Sequence, residues 1–327
     1  MLRYLISRAV ILIPFLFIIS IISFAVIQLP PGSYVDSYVR RLELRGLHLD
    51  EQEIFKLNAQ YGLDKTLPAQ YAIWMKKILF QGNFGFSYTF NLPVTELIIE
   101  RLPYTALISM LALVLQYCIA VPVGIYSALN KYTIGDYIFT FLGFIGLTMP
   151  SFLAALLLMY YTYVLTGWAI TGLFSTEYVD APWSLMRVFD MLKNIWLPVV
   201  AISIVGTASL IRIMRGALLD ELRKQYVITA RAKGLIERKV IFRYPFRIAI
   251  NPLISTIGWL LPAIVGGEII VSQVLNLKTM GTLLLEAIRM EDMYLAGAIV
   301  LILSGLTVIG TIISDMLLAA IDPRIRY

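Results

Sequence analysis

Six runs of about 20 mostly apolar residues, each broken off by charges, prolines or glycines, constrain this chain more than any motif in it. They cover about 9–29, 105–129, 137–165, 196–214, 248–274 and 294–320. Each has the length that a helix needs to cross a bilayer. The first follows Arg3 and Arg8 and closes at Pro30-Pro31-Gly32, whereas a signal peptide would carry a shorter apolar region and a small-residue cleavage site. It is therefore read as an uncleaved anchor. The third run is long enough to tilt, or to kink at Pro150. With 59% hydrophobic and only 15% charged residues, the fold class is an all-α polytopic membrane protein.

The same composition removes several functions. Cys118, the single cysteine, has no partner for an internal disulfide, and the single histidine, His48, rules out multi-His metal sites. No Gly-x-Ser-x-Gly or His-Glu-x-x-His motif is present to support an intramembrane enzyme. A net charge of +6 could suggest nucleic acid, but the basic residues lie mainly in loops between apolar runs. The positive-inside rule accounts for them, with no nucleic acid as partner and the lipid bilayer as surroundings. Arg3, Arg8, Lys131, the cluster from Arg212 to Arg247, Arg324 and Arg326 then fall on the cytoplasmic side. Both termini are expected in the cytoplasm, and residues 31–101 form an extracytoplasmic insertion, a small cap with an amphipathic helix near 50–60. The whole chain, 1–327, reads as one integral domain in the cell (inner or plasma) membrane.

Between the fourth and fifth runs lies a loop, 218–247, whose basic residues alternate with apolar ones. Arg223, Lys224, Arg231, Lys233, Arg238, Lys239, Arg243 and Arg247 are interleaved with Tyr226, Val227, Ala230, Leu235, Val240 and Phe242. That pattern predicts two short amphipathic helices on either side of Gly234, whose backbone permits a tight turn. A loop lying on anionic headgroups accounts for the charge alone. The small residues Ala230, Ala232 and Gly234 additionally leave room for a close partner.

Tyr226-Val227-Ile228-Thr229-Ala230-Arg231-Ala232-Lys233-Gly234-Leu235 resembles the cytoplasmic signature loop of permeases in binding-protein-dependent ABC importers, specifically the dipeptide and oligopeptide permease family. Further segments resemble that family in order: Leu29-Pro30-Pro31-Gly32, Tyr61-Gly62-Leu63-Asp64, Gln70-Tyr71 and Gly82-Asn83-Phe84-Gly85-Phe86-Ser87. Pro93-Val94, Arg101-Leu102-Pro103-Tyr104-Thr105 and the terminal Asp322-Pro323-Arg324-Ile325-Arg326 continue the series. The chain departs from the general loop pattern at Ile228-Thr229-Ala230, where Glu-Ala-Ala stands, and at Tyr244-Pro245-Phe246-Arg247, where Ile-x-Leu-Pro stands. The resemblance implies six transmembrane helices of the type I importer permease class. It implies that Tyr226, Thr229, Ala230, Arg231, Ala232, Lys233, Gly234, Leu235 and Glu237 form a coupling loop against an ATP-binding subunit. It also implies a second, related permease subunit, two ATP-binding subunits and an extracytoplasmic solute-binding protein. No phosphate-binding loop occurs in this chain, so no cofactor is expected in it, and ATP and Mg belong to the partners.

Candidates for a translocation pathway or gate are Ser255, Thr256, Trp259, Glu268 and Gln273 in the fifth run. Glu268 stands out because an acid at a helix centre costs roughly 2.5–3.5 kcal/mol on insertion scales. A packing acid is the competing reading for it, and Ser or Thr in membrane helices commonly bond to backbone. The dipeptide and oligopeptide family has a small residue at the position of Glu268, an acid at that of Ser272 and a Pro-Gly turn at Lys278-Thr279. Cargo specificity is therefore left open among peptides, oligosaccharides and metal complexes. Asp315 in the sixth run is expected to pair with Arg212 or Arg215. An ion-coupled secondary transporter or channel is the alternative function, and it would rely on intramembrane charge rather than on a docking loop.

Overall fold

The computed structural model describes residues 2–28, 34–44, 46–48, 50–61, 63–87 and 89–321. Four helices open the chain: α1 (Leu2–Ile27), α2 (Tyr34–Leu44), α3 (Glu51–Tyr61) and α4 (Leu67–Gln81). A two-stranded antiparallel hairpin follows, β1 (Phe86–Ser87) paired with β2 (Leu92–Pro93). The long helix α5 (Val94–Leu129) precedes α6 (Ile134–Thr148), α7 (Ser151–Thr166) and α8 (Leu185–Leu222). Three short helices come next: α9 (Gln225–Ala232), α10 (Glu237–Arg243) and α11 (Pro245–Ala249). The chain then runs through α12 (Asn251–Val274), α13 (Met280–Arg289) and α14 (Met293–Ile321). Among the described residues, α5, α8 and α14 are long and apolar enough to cross a membrane. The pair α6 and α7 makes a fourth such segment when taken as one.

That pair differs from the single third run expected over 137–165. Its two helices are bent by 107°. Met149 and Pro150 are both extended, at ψ 119 and ψ 138. Proline disfavours the helical region for the residue before it, and its ring nitrogen has no hydrogen to continue the helical ladder. The helix therefore stops and restarts rather than bending smoothly.

Backbone contacts divide the chain into two units. One comprises 1–10, 104–278 and 307–327, and in it α6, α7, α11 and α12 all pack on α8. At 1.5 Å per residue, the 38 residues of α8 make a rod about 57 Å long. Its first turns are fastened to the segment before it. Asp190 accepts from the Ser175 N–H at 2.7 Å and the Ser175 hydroxyl at 2.5 Å. Arg187 lies 4.7 Å from the ring centres of both Phe174 and Trp183 and donates to the carbonyls of Val179 and Ala181. Along the middle of the rod the contacts are made by small residues. A Cβ on Gly146 would meet the Ala208 methyl at 3.2 Å, and one on Gly124 of α5 would lie 2.6 Å from Met214 Cβ and 3.1 Å from the Ile211 carbonyl. Large apolar side chains such as Phe141, Phe144, Tyr160 and Leu165 instead face outward. Lipid rewards neither side for burying apolar surface, so helices associate by close approach and polar bonds.

The other unit comprises 11–103 and 279–306. Phe24 and Ile27 of α1 pack with Val35, Trp74 and Tyr294, while Val94 and Leu97 pack with Leu283, Leu295 and Ile299. Buried Asp292 precedes α14 and accepts from the Leu295 N–H at 3.3 Å, as an N-cap does. Its other oxygen accepts from the Ser87 hydroxyl at 2.5 Å, which pins the hairpin.

Two glycine substitutions separate close approach from helix propensity. Gly124→Ala should cost about 1–3 kcal/mol, because the new methyl meets a Cβ and a carbonyl that have nowhere to go. Gly216→Ala, in α8, meets nothing within 4 Å and should stabilise by up to about 1 kcal/mol through helix propensity. Thermal unfolding in detergent measures both, and equal effects would show that backbone approach does not hold α5 to α8.

Candidate functional site, the loop after α8

The rod α8 ends at Leu222, and the chain turns at once into α9. After α9 the backbone reverses at Gly234, whose φ of +72 lies in the left-handed region. A Cβ there would meet nothing within 4 Å, so the glycine is needed for its backbone angle and not for room. The chain then enters α10, and Pro245 occupies the first turn of α11, where a missing N–H costs nothing. The two amphipathic helices expected around Gly234 are thus α9 and α10.

These helices build a core of their own. Val227, Ala230 and Val240 are buried together, with Tyr226, Leu235 and Tyr244 packed against them. Ala230 therefore serves the inside of the hairpin, while Thr229, Ala232, Lys233 and Gly234 lie on its exposed surface. Two polar links fix the hairpin, one across its own turn and one back to α8. Arg231 forks onto Glu237 across the turn, with Nε to Oε2 at 3.2 Å and Nη2 to Oε1 at 2.6 Å. Tyr226 donates its hydroxyl to Glu221 of α8, and burial followed by that carboxylate pushes the phenol well above its ordinary value. The Arg231 guanidinium holds the Glu237 carboxyl below the usual range by hydrogen bonding to it. Ile228 and Ile236 are 50% and 78% exposed, in a stretch of sequence that also carries the exposed Arg223, Lys224, Lys233, Arg238 and Lys239.

The candidates in α12 are not brought together. The Ser255 hydroxyl, on an exposed residue, donates to the Asn251 carbonyl at 3.0 Å. Thr256 Oγ1, the Leu253 carbonyl and the Tyr117 hydroxyl lie within 2.6–2.8 Å of one another, tying α12 to α5. Glu268 is fully buried and accepts from the Ser272 hydroxyl at 3.4 Å, one turn away. Gln273 is exposed, and the side chain of Trp259 lies outside the described residues.

The expected pairing of Asp315 with Arg212 or Arg215 is replaced by a different one. No ion pair joins Asp315 to either arginine among the described residues. Arg215 instead forks onto Asp136 at the start of α6, Nε to Oδ1 and Nη2 to Oδ2 both at 2.8 Å. The packing of α6 along α8 brings Asp136 to Arg215, and the Asp136 carboxylate is fixed further by the Tyr132 N–H at 3.0 Å. Asp136 went unrecognised because it sits at the edge of the third run. The signal available was Thr133-Ile134-Gly135-Asp136, a Thr followed three residues later by an acid, which marks a helix start.

Residues 120–327 match the family model described as the binding-protein-dependent transport system inner membrane component. Residues 1–110 match the model for the N-terminal part of such membrane components. The oligopeptide transport system permease protein AppB of Bacillus subtilis is 33% identical over 328 residues, covering 100% of both chains. The oligopeptide transport system permease protein OppB of Salmonella typhimurium is 30% identical over 330 residues, again covering 100% of each. The dipeptide transport system permease protein DppB of Lactococcus lactis is 28% identical over 328 residues with the same coverage.

A pH series tests the link across the hairpin turn. Because the folded-state pKa of Glu237 is lowered, the link is complete above about pH 4.5 and is lost as pH falls through the lower folded-state value. Hydrogen exchange in α9 and α10, corrected for intrinsic rates, should be flat from pH 8 to about 5 and rise only in more acid solution. Glu237→Gln should exchange faster throughout and show no acid step.

Proposed function

We propose, on the premise that the chain belongs to the family of binding-protein-dependent transport system inner membrane components and is a permease subunit of an ABC importer, that its cargo is a peptide. The printed names of its full-length relatives, oligopeptide and dipeptide permeases, support peptide over oligosaccharide. In this reading the chain crosses the membrane six times, by α1, α5, the bent α6–α7 pair, α8, α12 and α14. Both termini lie in the cytoplasm and 31–101 lies outside, where a solute-binding protein delivers cargo. A second, related permease subunit completes the passage, and two ATP-binding subunits that hold ATP and Mg work from below. Chemistry is left to those subunits. This chain's part is to change shape when they close.

The observation that carries the reading is the hairpin at 225–243. A ligand shifts an equilibrium only by contacting its two states differently, so nucleotide closure must press on something stiff. A loop with its own buried core and an ion pair across its turn transmits displacement that a disordered loop would absorb. Ile228 and Ile236 supply the apolar centre of the contact, with Thr229, Ala232 and Gly234 beside them and the lysines and arginines as its rim. The first turn of α9 continues the axis of load into α8 through the Tyr226 to Glu221 bond. Glu268, buried in α12, is read as a pathway or gate residue, the only acid among the α12 candidates.

Ile228→Glu with Ile236→Glu should release the ATP-binding subunits from the complex purified in detergent. The permease pair should remain membrane-inserted, because neither isoleucine belongs to the hairpin core. Reconstituted wild-type complex should take up peptide only with ATP and with the binding protein present. Uptake by this chain alone, driven by an ion gradient, would overturn the reading.

A further inference from the structure

The Arg215 to Asp136 pair stands at a point where several constraints meet. Asp136 is only 2% exposed, and the fork uses both of its oxygens, so the pair fixes direction as well as distance. A buried ion pair is rarely kept for stability, since desolvation offsets most of the attraction, but removing one partner is costly. What this pair does hold is the start of α6 against the last two turns of α8, immediately before the hairpin. One residue away, Met214 is locked to α5 by the close approach at Gly124. Further along, Gly146 seats the other end of α6 on Ala208 and Ile204 of α8. Helix α6 is therefore fastened to α8 at both ends. Three residues beyond Gly146, the extended Met149 and Pro150 separate α6 from α7, and α7 packs on both α8 and α12.

We infer that Asp136 and Arg215 are positioning residues for coupling: their ion pair makes α6 follow α8 when the hairpin is displaced, and the bend at Met149-Pro150 is the hinge that converts this movement into a change of angle between α6 and α7. The inference rests on the importer reading. Without the fork, α8 tilts under the same load while α6 lags, so ATP is hydrolysed without the full conformational change. Neither residue touches ATP, and the effect is on the yield of transport per nucleotide.

The test uses the full complex with its partner subunits in proteoliposomes, supplied with binding protein and peptide. Asp136→Asn keeps the shape and removes the charge. It should assemble within about twofold of wild type and hydrolyse ATP at a comparable rate, while uptake per ATP falls at least tenfold. Arg215→Lys keeps the charge but loses the fork, and should give an intermediate ratio. Asp136→Glu should recover part of the Asn loss. If uptake and hydrolysis fall together, in step with the amount of complex assembled, the pair is only structural and the inference is overturned. Should Asp136→Asn fail to assemble, an unchanged ratio in Arg215→Lys overturns it equally, and a lowered one supports it. Failure of the wild-type complex itself to couple peptide uptake to ATP would instead strike the importer reading.

Discussion

Everything in the larger unit depends on how closely other helices can approach α8. In lipid an exposed leucine and a buried one are surrounded by equally apolar material, so the force that drives a soluble core together is missing. What remains is dispersion at short range and hydrogen bonds that have no competing water. The glycines and alanines facing α8 provide the first. Tyr117 against the Leu253 carbonyl, Ser314 against the Ile254 carbonyl and Ser203 against the Ala112 carbonyl provide the second. The outward display of phenylalanine, tyrosine and leucine on α6 and α7 is the complement of this arrangement, since the surface toward lipid tolerates bulk that the interior cannot hold.

Charge is placed by the same logic. The fastenings with full charges sit towards the ends of the rod: Arg187 and Asp190 near its start, Arg215 near its finish. Between them α8 carries only Lys193, stacked 4.3 Å from the Trp168 ring centre, and Arg212 before the Arg215 fork. Charged groups towards the ends of a membrane helix cost less to desolvate than they would at its middle.

Much of this was legible in the sequence, and the limits have physical causes. Apolar runs are read from composition over 20 residues, and 105–129, 196–214 and 294–320 lie inside α5, α8 and α14. α5 and α8 extend beyond their apolar runs, because a helix continues through polar residues that composition alone would exclude, as α8 does for eleven residues before Trp196 and eight after Met214. Pro150 announced a disturbance, but not its size: a proline fixes only the local angles, and the 107° depends on what α6 and α7 pack against. Gly234 was legible as a turn because a left-handed φ selects for glycine. The burial of Ala230 was not legible, since a small residue serves equally to admit a partner or to fit a tight core. The acid paired with Arg215 was misassigned because pairing depends on which helices lie side by side, and spacing along the chain carries no information on that.

The hairpin and the rod also explain each other. A docking element with its own core would be wasted at the end of a flexible tether, because any displacement would be absorbed before it reached the membrane. A long helix without such an element would offer its partner only a frayed last turn, where carbonyls lack internal bonds. Here Glu221, in that last turn, accepts from Tyr226 of α9, so the end of the rod is stitched to the hairpin. The Tyr226 phenol stays protonated across any physiological pH, because burial and the neighbouring carboxylate both oppose its ionisation. The bond between α8 and α9 is therefore not broken by ionisation of the Tyr226 hydroxyl.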